Sequence, residues 1–157
     1  MEGTAINISY YINQIEQLQK EQDAIYHDAA VKCGLSDTAM WILYTVSGQE
    51  REYTQKELCR QCFFAKQTVN TTIAGLVKNG YVMLEPIPGV RNQKKIVLTE
   101  SGRRLAERTT DHVREAELRA YGKLTEKELA DYLETTSKLS AYLRDEMKNI
   151  ITKGVSD

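Results

Sequence analysis

The sequence has little that marks an exported or membrane-bound protein. No apolar run reaches the roughly 18 residues that a membrane-spanning helix needs. The N-terminus has neither the basic segment nor the apolar segment of a secretion signal. Two prolines and nine glycines in 157 residues argue against long disordered segments. We therefore expect a helix-rich soluble protein of the cytoplasm with no membrane partner.

Cysteine is also scarce, with only Cys33, Cys59 and Cys62. An odd number in a chain without an export signal does not support a disulfide framework. Cys59 and Cys62 form a CxxC pair, but no second pair or nearby histidine completes a metal site. Residues three apart share one helix face, so core filling explains both sulfurs, and a thiol redox sensor remains the alternative. No metal or cofactor is expected.

Catalytic patterns are missing as well. The sequence has no paired carboxylates in an apolar setting, no glycine-rich phosphate loop and no nucleophile with a base at a suitable spacing. Its two histidines, His27 and His112, lie on separate predicted helices without a motif. We therefore expect a binding protein and not an enzyme.

The net charge of −1 is small, but its distribution along the chain is uneven. Residues 51–104 contain ten Lys and Arg against four Asp and Glu, a net charge of +6. The remaining residues contain eleven against eighteen, a net charge of −7. Because local positive potential governs binding to phosphates, this segment is the candidate for contact with nucleic acid.

Two helices joined by a short turn are predicted within that segment. Thr54 and Glu57 have the spacing of a capping box at the start of the first helix, and Phe63 and Phe64 are expected to fill the turn. The second helix is predicted over 66–79, ended by Gly80. Its apolar residues have the spacing of one buried stripe, namely Val69, Ile73, Leu76 and Val77.

The opposite face of the second helix has short amides, hydroxyls and bare backbone instead of the mixed charge of most surface helices. Such a face can approach another surface closely and form hydrogen bonds with base edges. The candidate base-reading residues are Gln67, Thr68, Asn70 and Thr71. The cations expected to hold phosphates or the minor groove are Lys66, Lys78, Arg91, Lys94 and Lys95.

A β-hairpin is predicted directly after this helix. Two β-rich runs, 81–85 and 95–99, flank a loop punctuated by proline and glycine. Arg91, Lys94 and Lys95 cluster at the far side of that loop. This order is typical of a winged helix-turn-helix, in which the helix enters the major groove and the wing reaches the backbone or the minor groove.

Long helices are predicted on both sides of this unit. Residues 6–31 show near-heptad apolar spacing, and Ser36 is expected to cap a central helix. Thr99 is expected to cap a long helix through about Tyr121. A second capping box, at Thr125 and Glu128, opens a final helix to about residue 151. The first and last helices have broad apolar stripes, which suit an intertwined dimer interface.

The segment 54–102 resembles the DNA-binding region of the MarR (multiple antibiotic resistance regulator) family. The resemblance rests on Leu35-Ser-x-x-x-x-Trp41-x-Leu43, Gln55-x-x-Leu58, Lys66-Gln-Thr-Val-Asn70, Leu76-x-x-x-Gly80-Tyr-Val, Arg91 and Leu98-Thr-Glu-Ser-Gly102. It extends over nearly the whole chain, because the flanking helices also match. Two positions depart from the family pattern: Gly89-Val-Arg91 replaces a frequent Asp-x-Arg, and Thr71 replaces a frequent arginine.

The resemblance implies a mainly α fold with a small β-hairpin wing. Residues 35–102 would form the winged helix-turn-helix, between dimerisation helices in 1–34 and 103–157. It also implies that a short first strand precedes the reading helices, with Tyr53 pairing with the wing.

The function implied by the resemblance is sequence-specific binding of double-stranded DNA by a homodimer on a palindromic operator. Such a regulator would act as a repressor released by a small aromatic effector. Candidate pocket residues are Tyr11, His27, Trp41 and Tyr44. Two alternatives stay open: a thiol-based redox-sensing regulator of the same fold, and a winged-helix module that binds protein. Redox-sensing relatives have their cysteine near the start of the first helix, where this chain has Tyr10 and Tyr11.

Overall fold

The computed structural model describes residues 6–48 and 51–153, which form a mainly helical fold with one small sheet. The predicted fold class is confirmed. Residues 1–5 and 154–157 of the predicted flanking segments, and 49–50 of the turn before the first strand, lie outside the described residues. The elements in chain order are α1 (Ile8–Lys32), α2 (Asp37–Ser47), β1 (Tyr53–Thr54), α3 (Gln55–Cys62), α4 (Lys66–Lys78), β2 (Val82–Pro86), β3 (Lys94–Leu98), α5 (Glu100–Glu107), α6 (Thr110–Tyr121), α7 (Glu126–Glu146) and α8 (Lys148–Lys153).

Contacts between Cα atoms divide the chain into two compact units, one up to Arg114 and one from Glu115 onward. The hydrophobic core lies in the first unit, where α2, α3, α4, α5 and the sheet contribute to one cluster. Its buried members are Ile42, Leu43, Tyr53, Leu58, Val69, Ile73, Leu76, Val82, Ile96, Leu98 and Leu105.

Helix α2 is the central element of that core. Ser36 caps it as predicted, because its Oγ accepts a hydrogen bond from the Ala39 amide at 3.2 Å. Met40, Ile42 and Leu43 are completely buried. Since α3, α4, α5 and β3 all contact α2, this helix fixes the position of α4 relative to the wing, which is the hairpin of β2 and β3.

The sheet has the strand order β1-β3-β2, and every pairing is antiparallel. Tyr53 pairs with Ile96, which confirms the short first strand that the family resemblance implies. Strands β2 and β3 each lie one residue away from the predicted runs. The end of β3 shifts because Thr99 leaves the strand to cap α5.

The base of the wing is joined to α5 by a close contact. The Thr99 amide donates to the Tyr81 carbonyl at 3.1 Å, and the Thr99 hydroxyl donates to the Gly80 carbonyl at 2.6 Å. The same hydroxyl accepts a hydrogen bond from the Gly102 amide at 3.0 Å. Gly102 is buried, and a Cβ atom there would lie 1.9 Å from the Tyr81 oxygen. Glycine is therefore required for α5 to pack this closely.

The prediction of one long helix from Thr99 to Tyr121 is wrong, because α5 ends at Glu107 and α6 begins at Thr110. Thr109 and Thr110 are buried, at 4% and 0% exposure. Their hydroxyls donate to carbonyls four residues earlier, at 2.6 Å and 3.4 Å. Such bonds compete with the backbone amides for the same carbonyl acceptors and favour bending of a helix, and here the helix is interrupted at Arg108 and Thr109.

The predicted final helix is also interrupted. Helix α7 ends at Glu146 and α8 starts at Lys148, so a single helix to residue 151 is wrong. The interruption is confined to Met147, whose ψ of −3° departs from the helical value. Hydrogen bonds from Met147 to Leu143 and from Ile151 to Met147 keep the i to i−4 pattern on both sides.

Apolar side chains are exposed on both terminal helical regions. Those on α1 are Ile8, Tyr11, Ile12, Ile15, Leu18 and Ile25, and those on α7 and α8 include Tyr132, Leu133, Leu139, Tyr142, Leu143, Ile150 and Ile151. Within the described ranges, no helix combines the length and the apolar character needed to cross a membrane. In the single chain, these apolar side chains of α1, α7 and α8 are exposed to water.

Both predicted capping boxes form. Glu57 accepts a hydrogen bond from the Thr54 amide at 2.8 Å, and the Thr54 hydroxyl accepts one from the Glu57 amide at 3.2 Å. Thr125 and Glu128 make the same pair at the start of α7. The backbone amide of Thr54, followed by its hydroxyl, lowers the pKa of the Glu57 carboxyl below its usual range.

This lowered pKa is expected to make the stability contributed by α3 pH-dependent in acid. The ionised Glu57 stabilises the fold above its ordinary pKa of 4.5, and this contribution is lost as the pH falls through the lower folded pKa. The Glu57 side chain is 38% exposed, so water limits the effect to about 0.5 kcal/mol. Thermal unfolding of wild type and Glu57→Gln should converge below pH 4.5. A difference that stays constant down to about pH 3 would contradict this assignment.

Candidate nucleic-acid interface

Helix α4 has one buried face and one exposed polar face. Val69, Ile73 and Leu76 are at most 5% exposed, as predicted. The prediction for Val77 is wrong, because it is 39% exposed. It lies about 80° around the helix axis from Val69 and so falls at the edge of the stripe. The predicted DNA-contacting residues of α4 are all exposed, namely Lys66, Gln67, Thr68, Asn70, Thr71 and Lys78.

The exposed face is uncharged over its first turns, and Lys78 adds a charge only at its C-terminal end. At about 100° per residue, Gln67 and Thr71 lie within about 20° of the direction opposite Val69. Thr68 and Asn70 lie about 100° from Val69, on either side of that direction. Ala74 follows on the same face and adds no bulk. The helix backbone can therefore come close to another surface, with amides and hydroxyls at the point of contact.

The N-terminal end of α4 is open. Its N-cap residue is Ala65, and no side chain caps the first amides, so this end is electropositive, with Lys66 as its first residue. In the turn before it, Phe64 packs against the core, as predicted. The same prediction is wrong for Phe63, which is 93% exposed. Phe63 ends α3 in a left-handed conformation (φ 54°, ψ 27°), and its ring stays outside the core.

The wing tip is a defined turn with cations beside it. The Val90 amide donates to the Ile87 carbonyl at 3.2 Å, and Gly89 has a φ of 77°. These are the features of a type II turn, which requires glycine at its third position. Arg91 and Lys94 follow the turn and are exposed. In the part of the chain that the structure describes, neither cation has an ion-pair partner.

Lys95 differs from the other wing cations because two carboxylates hold its ammonium group. Its Nζ lies 2.5 Å from Glu52 Oε1 and 3.4 Å from Glu85 Oε2. The hydrogen bond with Glu52 is the main cause that raises the pKa of Lys95 above its usual range. Lys95 thus lies in β3 one residue after Lys94, at the end of the strand next to the wing loop, and it is half-buried with its charge already compensated.

The structure brings together two of the four predicted pocket residues. The rings of Trp41 and Tyr44 lie 5.5 Å apart, edge to face, and Tyr26 lies 4.9 Å from Trp41. The Arg114 guanidinium lies 4.3 Å above the Tyr44 ring and donates to the Tyr44 carbonyl at 2.6 Å. Sequence reasoning missed Tyr26 and Arg114. The aromatic Tyr26 next to the predicted His27 on the first helix was a usable signal, whereas nothing in the sequence links Arg114 to a residue 70 positions away.

The other two predicted pocket residues are placed elsewhere. His27 Nδ1 lies 3.0 Å from Asp37 Oδ1, and both side chains are more than half exposed. Tyr11 is 56% exposed on the same helix as His27. The 16-residue separation along α1 corresponds to about 24 Å, so Tyr11 and His27 do not line one pocket within a single chain.

The three cysteines are free and half-buried. Cys59 and Cys62 pack against the core cluster, as expected for core-filling side chains. The Cys62 sulfur lies 3.6 Å from the Thr45 hydroxyl. Among the residues described, no group of three or more His, Cys, Asp and Glu is arranged to hold a metal ion.

A comparison with family models gives one match, between residues 34–91 and the MarR family. The matched range begins just before α2, includes α3 and α4 and ends at Arg91 in the wing. A search among curated proteins found no match. The resemblance to the MarR family that was predicted from the sequence is confirmed for the segment that contains α4.

Solved structures extend the likeness in fold beyond that segment. A MarR family transcriptional regulator from Listeria monocytogenes, complexed with 26mer DNA, matches with a TM-score of 0.70 and 16% identity over 93% of this chain and 97% of that chain. A MarR family regulator from Neisseria meningitidis matches with a TM-score of 0.69 and 21% identity over 87% of this chain and 97% of that chain. Staphylococcus aureus MarR in complex with salicylate and kanamycin matches with a TM-score of 0.65 and 16% identity over 88% of this chain and 93% of that chain. At these identities the likeness establishes the fold.

Proposed function

We propose that the protein is a transcriptional regulator that binds double-stranded DNA sequence-specifically, because its residues 34–91 match the model of the MarR family and its fold is that of solved MarR family regulators. It acts as a homodimer on a palindromic operator in the cytoplasm, as a repressor and not as an enzyme. The observation that carries this proposal is the exposed face of α4, where amide and hydroxyl side chains lie between Lys66 and Lys78, supported on its other side by the buried stripe.

The residues of this interface divide the work of recognition. Gln67, Thr68, Asn70 and Thr71 read base edges in the major groove, because amides and hydroxyls can donate and accept hydrogen bonds there. The cations hold phosphates or the minor groove and position the helix. They are Lys66 and Lys78 on α4, Arg91 and Lys94 at the wing tip, and Lys95 beside Lys94 in β3. Lys95 contributes least, because Glu52 and Glu85 compensate its charge.

The exposed apolar stripes support a dimer. Helix α7 has no buried residue, and α1 has only Ala30. Burying such stripes against a second copy of the chain would remove them from water. A two-fold dimer then presents two α4 helices to one duplex, and a spacing of about 34 Å places them in successive major grooves. The operator is palindromic for the same reason.

We further propose that a small aromatic molecule releases the repressor from DNA. The Staphylococcus aureus relative binds salicylate, a phenolic acid, in its solved complex. In this chain the Tyr26, Trp41 and Tyr44 rings with Arg114 offer apolar faces and a cation beside α2. An effector that binds one spacing of the two α4 helices better than another would shift the dimer toward that spacing. His27 and Tyr11 would take part only through other surfaces of α1.

Selection of bound sequences from a random duplex pool tests the proposal directly. The expected result is a two-fold symmetric site whose half-sites are about one helical turn apart. A heparin column and a gel shift at low salt test the rival reading, a winged-helix module that binds protein. Failure to enrich any duplex, together with no retention on heparin, would reject DNA binding.

Arg91→Ala is expected to weaken binding to all duplexes, or to all A·T-rich duplexes, and to flatten the salt dependence of affinity. Each lost phosphate or minor-groove contact should reduce the slope of log K against log salt by about one unit. The measurement is a salt titration by fluorescence anisotropy. Arg119→Ala is the matched control, because this arginine is exposed but lies outside the basic segment. A slope and affinity unchanged by Arg91→Ala would remove the wing from the interface.

A further inference from the structure

Phe63 is the most exposed large apolar side chain in the described part of the protein, at 93%. Its backbone is left-handed, with φ of 54°. This conformation is uncommon for residues other than glycine and is a genuine outlier for a bulky aromatic. The left-handed backbone costs stability and the exposed ring contributes almost none in return, so the fold alone does not account for a phenylalanine at this position.

The neighbouring Phe64 shows that the turn has no need of the Phe63 ring. Phe64 is half-buried and packs against the core cluster. The requirement for an apolar residue between α3 and α4 is thereby met. Strained backbone that persists without a structural reason clusters at functional sites, which directs attention to what lies beside Phe63.

Phe63 stands three residues before Lys66, at the open N-terminal end of α4. Helix-turn-helix proteins bring the N-terminal residues of the reading helix to the base edges. The nearest exposed large apolar residues along the chain, among those described, are Val31 and Val77. An exposed ring without another exposed large apolar residue within ten positions of it along the described chain is not by itself the contiguous apolar patch that marks a protein-docking surface.

We propose that Phe63 is a specificity-determining residue that contacts the C5-methyl group of a thymine in each half-site. This inference rests on the proposed DNA-binding function. The thymine methyl is the one apolar group that the four bases present in the major groove, and phenylalanine is among the side chains that contact it. The polar side chains of α4 read hydrogen-bonding groups, and Phe63 adds a contact that those side chains cannot make.

The test removes the methyl group alone. In the operator obtained by selection, each thymine is replaced in turn by deoxyuridine, and affinities are measured for wild type, Phe63→Gly and Phe63→Asn. Glycine and asparagine both tolerate a left-handed backbone, so these variants should fold at least as well as wild type. Thermal unfolding checks this point.

For wild type, deoxyuridine at the contacted thymine of both half-sites together should weaken binding about sixteenfold, which is about fourfold for each of the two methyl groups. Both variants should lose the same factor on the unmodified operator and show no further loss with deoxyuridine there. Deoxyuridine at the other thymines should affect all three proteins equally. If wild type binds the operator but is indifferent to every such replacement, or if the variants keep the same penalty, the role of Phe63 is wrong while the proposed function stands. Full DNA affinity in both variants would instead favour a protein partner for the ring. Absence of any DNA binding would reject both proposals.

Discussion

Gly102→Ala is expected to lower the free energy of unfolding by about 3 kcal/mol, the upper part of the range for overpacked sites. An added Cβ would lie 1.9 Å from the Tyr81 carbonyl oxygen, 2.9 Å from its carbon and 3.2 Å from a Leu98 methyl group. Two of these atoms belong to the backbone, so no flexible side chain can move aside. Either α5 or the base of the wing must shift.

The shift would also break hydrogen bonds around Tyr81. Its carbonyl accepts from the Thr99 amide, and the Thr99 hydroxyl caps α5 through the Gly102 amide. We therefore expect the unfolding midpoint to fall by roughly 6–12 °C, at about 2–4 °C for each kcal/mol in a chain of this size. Differential scanning calorimetry measures both quantities.

Gly75→Ala is the matched control for this substitution. No atom lies within 4 Å of the position where its Cβ would be built, and Gly75 is in the interior of α4. Alanine is favoured over glycine inside a helix by about 1 kcal/mol, so this variant should be more stable than wild type. A Gly102→Ala protein as stable as Gly75→Ala would show that the wing junction is looser than the structure indicates.

Asn70→Ala is expected to reduce affinity for the selected operator by about 1–3 kcal/mol per half-site, the value of a good bidentate contact with a base. Asn70 is exposed at the flank of the polar face of α4, about 100° around the helix axis from the buried Val69. An amide can bond the N6 and N7 groups of one adenine at once, so the loss should be confined mostly to one or two base positions.

Competition binding with operators changed one base pair at a time measures this effect. Asn79→Ala is the control, since it removes the same amide at the C-terminal end of α4, about 13 Å from Asn70. Loss of equal size on random duplexes would mean that Asn70 holds the backbone and does not read sequence. The assignment of the reading face would then move to Gln67, Thr68 or Thr71.

The parts of the fold that depend on local sequence were predicted well. The buried stripe of α4 follows from apolar periodicity, and both capping boxes follow from residues three apart. The pairing of Tyr53 with the wing came from family resemblance, because a strand of two residues has no pattern of its own.

Features that depend on tertiary contacts were not predictable in this way. The break between α5 and α6 arises because Thr109 and Thr110 are buried, which their polarity did not suggest. The compensation of Lys95 involves Glu52, 43 residues away. The outward position of Phe63 depends on a left-handed backbone that a phenylalanine would not be expected to adopt. Each case requires knowledge of which segments meet in space.

Strand β1, which adds a third strand to the β2–β3 hairpin, has a consequence for the thermodynamics of the proposed DNA binding. An isolated two-stranded hairpin is marginally stable in water, and such a wing would lose conformational entropy when it met a duplex. Here Tyr53 and Thr54 pair with Ile96 and Lys95, and the same Thr54 caps α3. The orientation of the wing is thus fixed during folding, so less ordering entropy remains to be lost on association.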